Sequence, residues 1–155
     1  MSSRGQSALE YVETYGWAIL AVMVVGIALN EMGYLKMGGE TISQSGFGKL
    51  KPFLSSTSLT TGGEFTTVFT NTLGEKITLT TTGLTITVGG VACTGTDVTP
   101  LQVSPGNQFK ITGTGCPTGN DGDPYDLTIT VPYTINVGNV ETEKQDSGKI
   151  HGAYT

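Results

Sequence analysis

A chain of 155 residues has room for one folded domain and an extension, and not for two large domains. Only 14% of its residues are charged, against about 25% in ordinary soluble domains, while 23 are glycine, so its surface is expected to be neutral and hydroxylated. A formal net charge of −5 gives no cationic footprint for phosphate backbones and excludes nucleic acid as an expected partner.

The mean hydropathy of +0.01 averages two unlike segments. Residues 14–30 carry no charge, and from Trp17 to Leu29 the run is apolar on every side, whereas residues 55–155 are rich in Thr, Gly and Asp. A secretory signal peptide places a basic region directly before about 7–15 apolar residues and a small-residue cleavage site after them. Here Glu10 and Glu13 stand between Arg4 and the apolar run, and Ala28-Leu29-Asn30 lacks the required small-residue pattern. A plain transmembrane anchor uses about 20 apolar residues, so this run lies at the short limit. The core helix of a soluble domain shows a polar stripe, and none exists between Tyr15 and Leu29.

The order Arg4-Gly5-Gln6-Ser7-Ala8-Leu9-Glu10-Tyr11, followed by Tyr15-Gly16-Trp17-Ala18-Ile19-Leu20, resembles the class III signal of archaeal type IV pilins. The resemblance implies that a prepilin peptidase cuts between Gly5 and Gln6, leaving residues 1–5 as a leader and Gln6 as the first mature residue. It also implies that Glu10 is the characteristic pilin glutamate, and that Tyr11, Tyr15, Trp17, Ile19, Leu20 and Val24 belong to an assembly helix. The physical logic agrees: glycine leaves the backbone open to a protease, and Arg4 favours retention on the cytoplasmic side. A carboxylate such as Glu10 or Glu13 complements the helix dipole near the start of the helix. Entering an apolar bundle, it needs a cation, for which the α-amino group of a neighbouring subunit is the candidate. Tyr11, Tyr15 and Trp17 suit an interfacial belt at a membrane boundary and packing between helices in a filament. An unbroken helix from residue 6 to 37 would run about 48 Å and stop near Gly38-Gly39. Gly16, Gly26 and Gly33 suggest close helix approach.

Residues 41–58 read as a connector with some order, after which the hydrophobic period becomes that of a strand. Leu127, Ile129, Val131, Tyr133, Ile135 and Val137 alternate with polar residues or proline, and Pro132 suggests an edge or a bulge in that strand. Further strands are expected over residues 64–70, 76–82, 84–88, 98–103, 108–112 and 149–154. Turn signals separate them at Leu73-Gly74, Gly89-Gly90, Pro105-Gly106 and Val137-Gly138-Asn139. Such spacing argues a small antiparallel sandwich-like domain. Tyr133 to Ile135 followed by Gly148 to Tyr154 also resembles the C-terminal hairpin of archaeal pilins. The cysteines, Cys93 and Cys116, are too few for a zinc site and are expected to form a disulfide outside the cytoplasm.

Residues 120–126 gather Asp121, Asp123 and Asp126 but lack the spacing of a Ca²⁺ loop, and they read as an acidic solvated turn. His151 has no nucleophile pattern to serve, no phosphate loop or N-linked sequon occurs, and the threonines offer positions for O-linked sugars. No enzyme, cofactor or metal is expected.

The expected fold is α+β: a leader at 1–5, a long N-terminal hydrophobic α-helix over 6–39, and a small antiparallel β-sandwich-like head domain over 40–155. The resemblance implies a pilin held in the membrane as a precursor, then drawn into an extracellular helical filament of identical copies by an assembly ATPase and a membrane platform protein, and serving adhesion. An archaellin-type swimming filament and a membrane-anchored β domain that binds a surface ligand are the alternatives.

Overall fold

A computed structural model of the protein describes residues 6–31 and 41–155. The chain divides into two compact units, Met1–Gly39 and Glu40–Thr155. In the first, helix α1 covers Gln6–Glu31. Its sequence lacks proline and combines good helix formers with β-branched residues, and nothing in it provides a polar stripe. The leader at 1–5, Gly33, Met37 and the expected stop at Gly38-Gly39 lie outside the described residues.

The second unit is built of antiparallel strands in two sheets. One has seven strands: β1 (Ser43–Ser45), β4 (Ile77–Leu79), β5 (Thr85–Val88), β6 (Val91–Ala92), β8 (Gln102–Val103), β10 (Pro124–Val137) and β11 (Val140–Ala153). Its main order is β1-β11-β10-β4-β8, and β5 also pairs with β10 while β6 pairs with β5. The other sheet has four strands in the order β2 (Leu50–Leu59), β3 (Phe65–Asn71), β9 (Gln108–Thr114), β7 (Gly95–Thr99). With one helix before these sheets, the architecture is α+β.

Period-two alternation decides which side chains enter the core. Phe65, Phe69, Phe109 and Ile111 come from the four-stranded sheet, and Ile77, Ile86, Leu127, Ile129, Val131 and Ile150 from the seven-stranded one, all within one buried cluster. The rings of Phe69 and Phe109 stack at 5.6 Å, and Phe47 meets Phe69 edge-on at 5.2 Å. The β10–β11 hairpin turns through Gly138 and Asn139 with φ of 61° and 65°, and two consecutive positive φ values fit the right-handed twist of a tight hairpin.

Several expectations are corrected. Residues 41–58 are not simply a connector, because they contain β1 and all of the ten-residue β2 except Leu59. The expected strand 98–103 is divided between β7 and β8, which belong to different sheets and are separated by Pro100. The last strand begins at Val140, well before residue 149.

Pro132 lies in neither an edge strand nor a bulge: β10 is flanked on both sides and its register with β11 is continuous. The Asp126 carbonyl accepts the Gly89 N–H at 2.8 Å, so alternation turns the even-numbered backbone groups of β10 toward β5 and β4. On that side β5 pairs only up to Thr130 and β4 starts at Tyr133. The donor that Pro132 lacks therefore faces the gap between the two strands. Pro52 is accommodated by the same logic, since the Lys49 carbonyl accepts from Thr72 N–H on β3's side and Leu50 and Pro52 turn their backbone toward the outer edge of β2.

Candidate functional site

The feature that most demands a partner is α1. Residues Ala8–Ala28 form a stretch of 21 residues with mean hydropathy 1.6, none of it buried within the chain. At 1.5 Å per residue it is about 32 Å long, enough to cross a hydrocarbon core of about 30 Å. Its large apolar side chains run from 52% exposed at Tyr15 to 73% at Leu9 and Val22.

All the described residues expected to serve assembly lie on this helix: Glu10, Tyr11, Tyr15, Trp17, Ile19, Leu20 and Val24. Gln6 is its first residue, and Gly5 falls outside the described residues. Tyr11 and Tyr15 share a face, their ring centroids 4.2 Å apart and their planes tilted by 36°. Glu10, Glu13, Thr14 and Trp17 line one shallow hollow. Thr14 Oγ1 donates to the Glu10 carbonyl at 2.9 Å. The first turn holds no acidic residue, so Glu10 and Glu13 lie past the point where the helix dipole acts most strongly. Among the described residues neither carboxylate has an ion-pair partner.

In the β unit, Cys93 and Cys116 are joined as a disulfide. Cys93 follows β6 of the seven-stranded sheet and Cys116 follows β9 of the four-stranded sheet, so the bridge ties the sheets together. Beside it the Cys116 N–H donates to the Gly63 carbonyl at 3.0 Å. Gly63 has φ +82°, and a Cβ there would collide with the Cys116 carbonyl.

A second tie was not visible in the sequence. Asp146, on the inner face of β11, accepts backbone N–H groups from Gly48 at 3.1 Å, Lys49 at 2.7 Å and Leu50 at 2.8 Å. It holds the passage from β1 in one sheet to β2 in the other. A lone aspartate in Lys144-Gln145-Asp146-Ser147 carries no signal of this role, because its partners are backbone amides far away in sequence.

Other polar groups of the β unit make local pairs. His151 Nδ1 lies 2.9 Å from Asp126 Oδ1, and both side chains are exposed. Asp123 closes the acidic turn by accepting from the Asn120 N–H at 3.1 Å and Nδ2 at 2.9 Å. Among the described residues no group of three His, Cys, Asp or Glu side chains could hold a metal ion. Burial holds the phenols of Tyr125, Tyr133 and Tyr154 above the usual tyrosine pKa, aided by Tyr154, Asp146 and Asp123 respectively.

Comparison with protein-family models, with curated proteins and with solved structures finds no match to this chain. The apolar helix and the disulfide are together consistent with a membrane-associated or secreted protein.

Proposed function

We propose that the chain is a pilin, the structural subunit of an archaeal type IV pilus that serves surface adhesion. The observation that carries this reading is α1: an apolar helix with no cover of its own, immediately preceded by Arg4-Gly5 and carrying Glu10. Such a helix has to be covered by lipid or by copies of itself, and a pilin uses both in turn. The precursor is held in the membrane with its β unit outside; a prepilin peptidase cuts between Gly5 and Gln6; an assembly ATPase and a membrane platform extract the mature chain. Helices then pack through Tyr11, Tyr15, Trp17, Ile19, Leu20 and Val24 in the filament interior. The two sheets, read as a sandwich-like head, coat the outside.

The energetics favour a driven process. Burying each large apolar side chain contributes about 1.5–3 kcal/mol relative to water. Lipid tails are as apolar as the side chains, so transfer from membrane to filament yields much less and extraction needs external work. Glu10, beyond the first turn and without a partner in the described chain, is available to the new α-amino group of a neighbouring copy.

Intact-mass measurement of the mature protein tests the reading, with electron microscopy of the cell surface beside it. The expected result is a chain beginning at Gln6 in filaments. Retention of residues 1–5, or loss of everything through about Ala28, would refute pilin processing.

A further inference from the structure

The gap that accommodates Pro132 also opens a hollow on the outer face of the seven-stranded sheet. Its volume is about 430 Å³, and it is lined by Thr80, Thr82, Pro132, Thr134, Glu143 and Gln145 together with Tyr133 and Lys144. Small-molecule sites typically measure about 300–1,000 Å³. Pro132 faces Gln145 and Thr134 faces Glu143 across β10 and β11, so these two rungs supply the floor. On the β5/β4 side the ladder is interrupted, and Thr80 and Thr82 form the wall.

The lining selects a ligand class. It offers hydroxyls, an amide and one carboxylate, Glu143, hence donors and acceptors together, while Lys144, opposite the buried Tyr133, turns its side chain to the other face of β11. An anion would need an excess of cations and a metal ion an excess of carboxylates. A greasy ligand would need apolar walls, and the only apolar patch offered outward is the Pro132 ring. Beyond Pro132 the same face continues with a row of hydroxyls, Thr130 opposite Ser147 and Thr85, then Thr128 opposite Thr87 and Lys149. Thr130 Oγ1 and Ser147 Oγ are already 3.0 Å apart. Successive rungs are about 6.8 Å apart along the strands, so the track suits an extended, repeating ligand.

We propose that this hollow and its hydroxyl track bind a neutral oligosaccharide chain, with Glu143, Gln145 and Thr134 hydrogen-bonding one sugar and Pro132 supporting its apolar ring face. The site lies wholly within the β unit and does not depend on the pilin reading. In a filament, repeated copies would convert modest single-site affinity into firm attachment.

The test is titration calorimetry on the full chain in detergent, with β-1,4-glucan and mannan oligosaccharides as neutral probes and oligogalacturonate and inorganic phosphate as charged ones. Binding of at least one neutral probe is expected, with affinity lowered about tenfold or more in both Gln145→Ala and Thr134→Val. Thr112→Ala, on the other sheet, leaves it unchanged. Melting curves of every variant establish that folding is retained, and Glu143→Ala is expected to weaken binding in the same direction as the Gln145 and Thr134 variants. Absence of neutral-probe binding, preference for the charged probes, or equal binding by the Gln145 and Thr134 variants would each overturn the proposal.

Discussion

Asp146 Oδ2 accepts the Leu50 N–H at 2.8 Å across a sequence separation of 96. The two residues belong to different sheets, so this bond and its neighbours at Gly48 and Lys49 fix where the chain leaves one sheet and enters the other. Charge-assisted bonds to backbone amides are among the stronger protein hydrogen bonds, and Leu50 is fully buried, leaving its amide no water to turn to. Asp146→Ala is therefore expected to destabilise the β unit by about 3 kcal/mol. Asp146→Asn, which keeps one acceptor oxygen, should lose less. Urea unfolding followed by tyrosine fluorescence measures both, and equal midpoints for the parent and the alanine variant would refute the role.

The disulfide ties the same two sheets at a different place, after β6 and β9. Cys93 and Cys116 are separated by 23 residues, and a loop of that size stabilises by about 3 kcal/mol in the chain-entropy account. Cys93→Ser, Cys116→Ser and the double variant should lower the unfolding midpoint to similar extents, because each removes the same cross-link. Adding reductant to the double variant should change nothing further. A single variant as stable as the parent would show that the bridge contributes little.

What the sequence made legible follows from how regular each pattern is. Strand β10 and its turn at Gly138-Asn139 were readable because Leu127, Ile129, Val131 and Tyr133 keep an unbroken period into the core. Strand β2 was not, because its inward residues change phase: Leu50 and Pro52 point in, the register shifts between Phe53 and Ser58, and then Thr57 and Leu59 point in. The first half of β11 was hidden because residues 140–145 are exposed on both faces and carry no alternation. Pro132 was visible as an anomaly, but the ladder gap that accommodates it, and the hollow beside it, exist only once β4 and β5 are placed in space. Helix α1 itself was legible because an apolar run without a polar stripe needs only its own sequence to declare itself.

The three buried tyrosines give the β unit a defined alkaline limit. Tyr125, Tyr133 and Tyr154 hold their phenol protons more tightly when folded than when unfolded, chiefly because burial disfavours phenolate. The unfolded phenols titrate near about pH 10. Below that value both states are protonated and the stabilisation is fully present; as pH rises toward the higher folded values the unfolded state deprotonates first and stability falls. Thermal melting across the alkaline range is expected to be flat with respect to these groups until about pH 10 and then to decline. Tyr133→Phe should reduce the steepness of that decline. A variant with an unchanged alkaline profile would remove Tyr133 from the account.

A final prediction concerns α1, whose chemistry is simple because it offers almost nothing but apolar surface. Ile19 is 56% exposed near the middle of the Ala8–Ala28 stretch, so none of the described residues would accommodate a charge there. An aspartate near the centre of a membrane-spanning helix costs about 3 kcal/mol in insertion. In a bundle of identical helices the penalty recurs in every copy, with like charges added in each neighbour. On the proposed pilin reading, Ile19→Asp should therefore deplete the chain from the membrane fraction and abolish filaments by electron microscopy, while the Cys93–Cys116 bridge still forms in whatever β unit reaches an oxidising compartment. Ile19→Leu, which keeps size and polarity, should behave as the parent. Normal membrane partition and normal filaments in the aspartate variant would mean that this face of α1 is covered by neither lipid nor copies of itself.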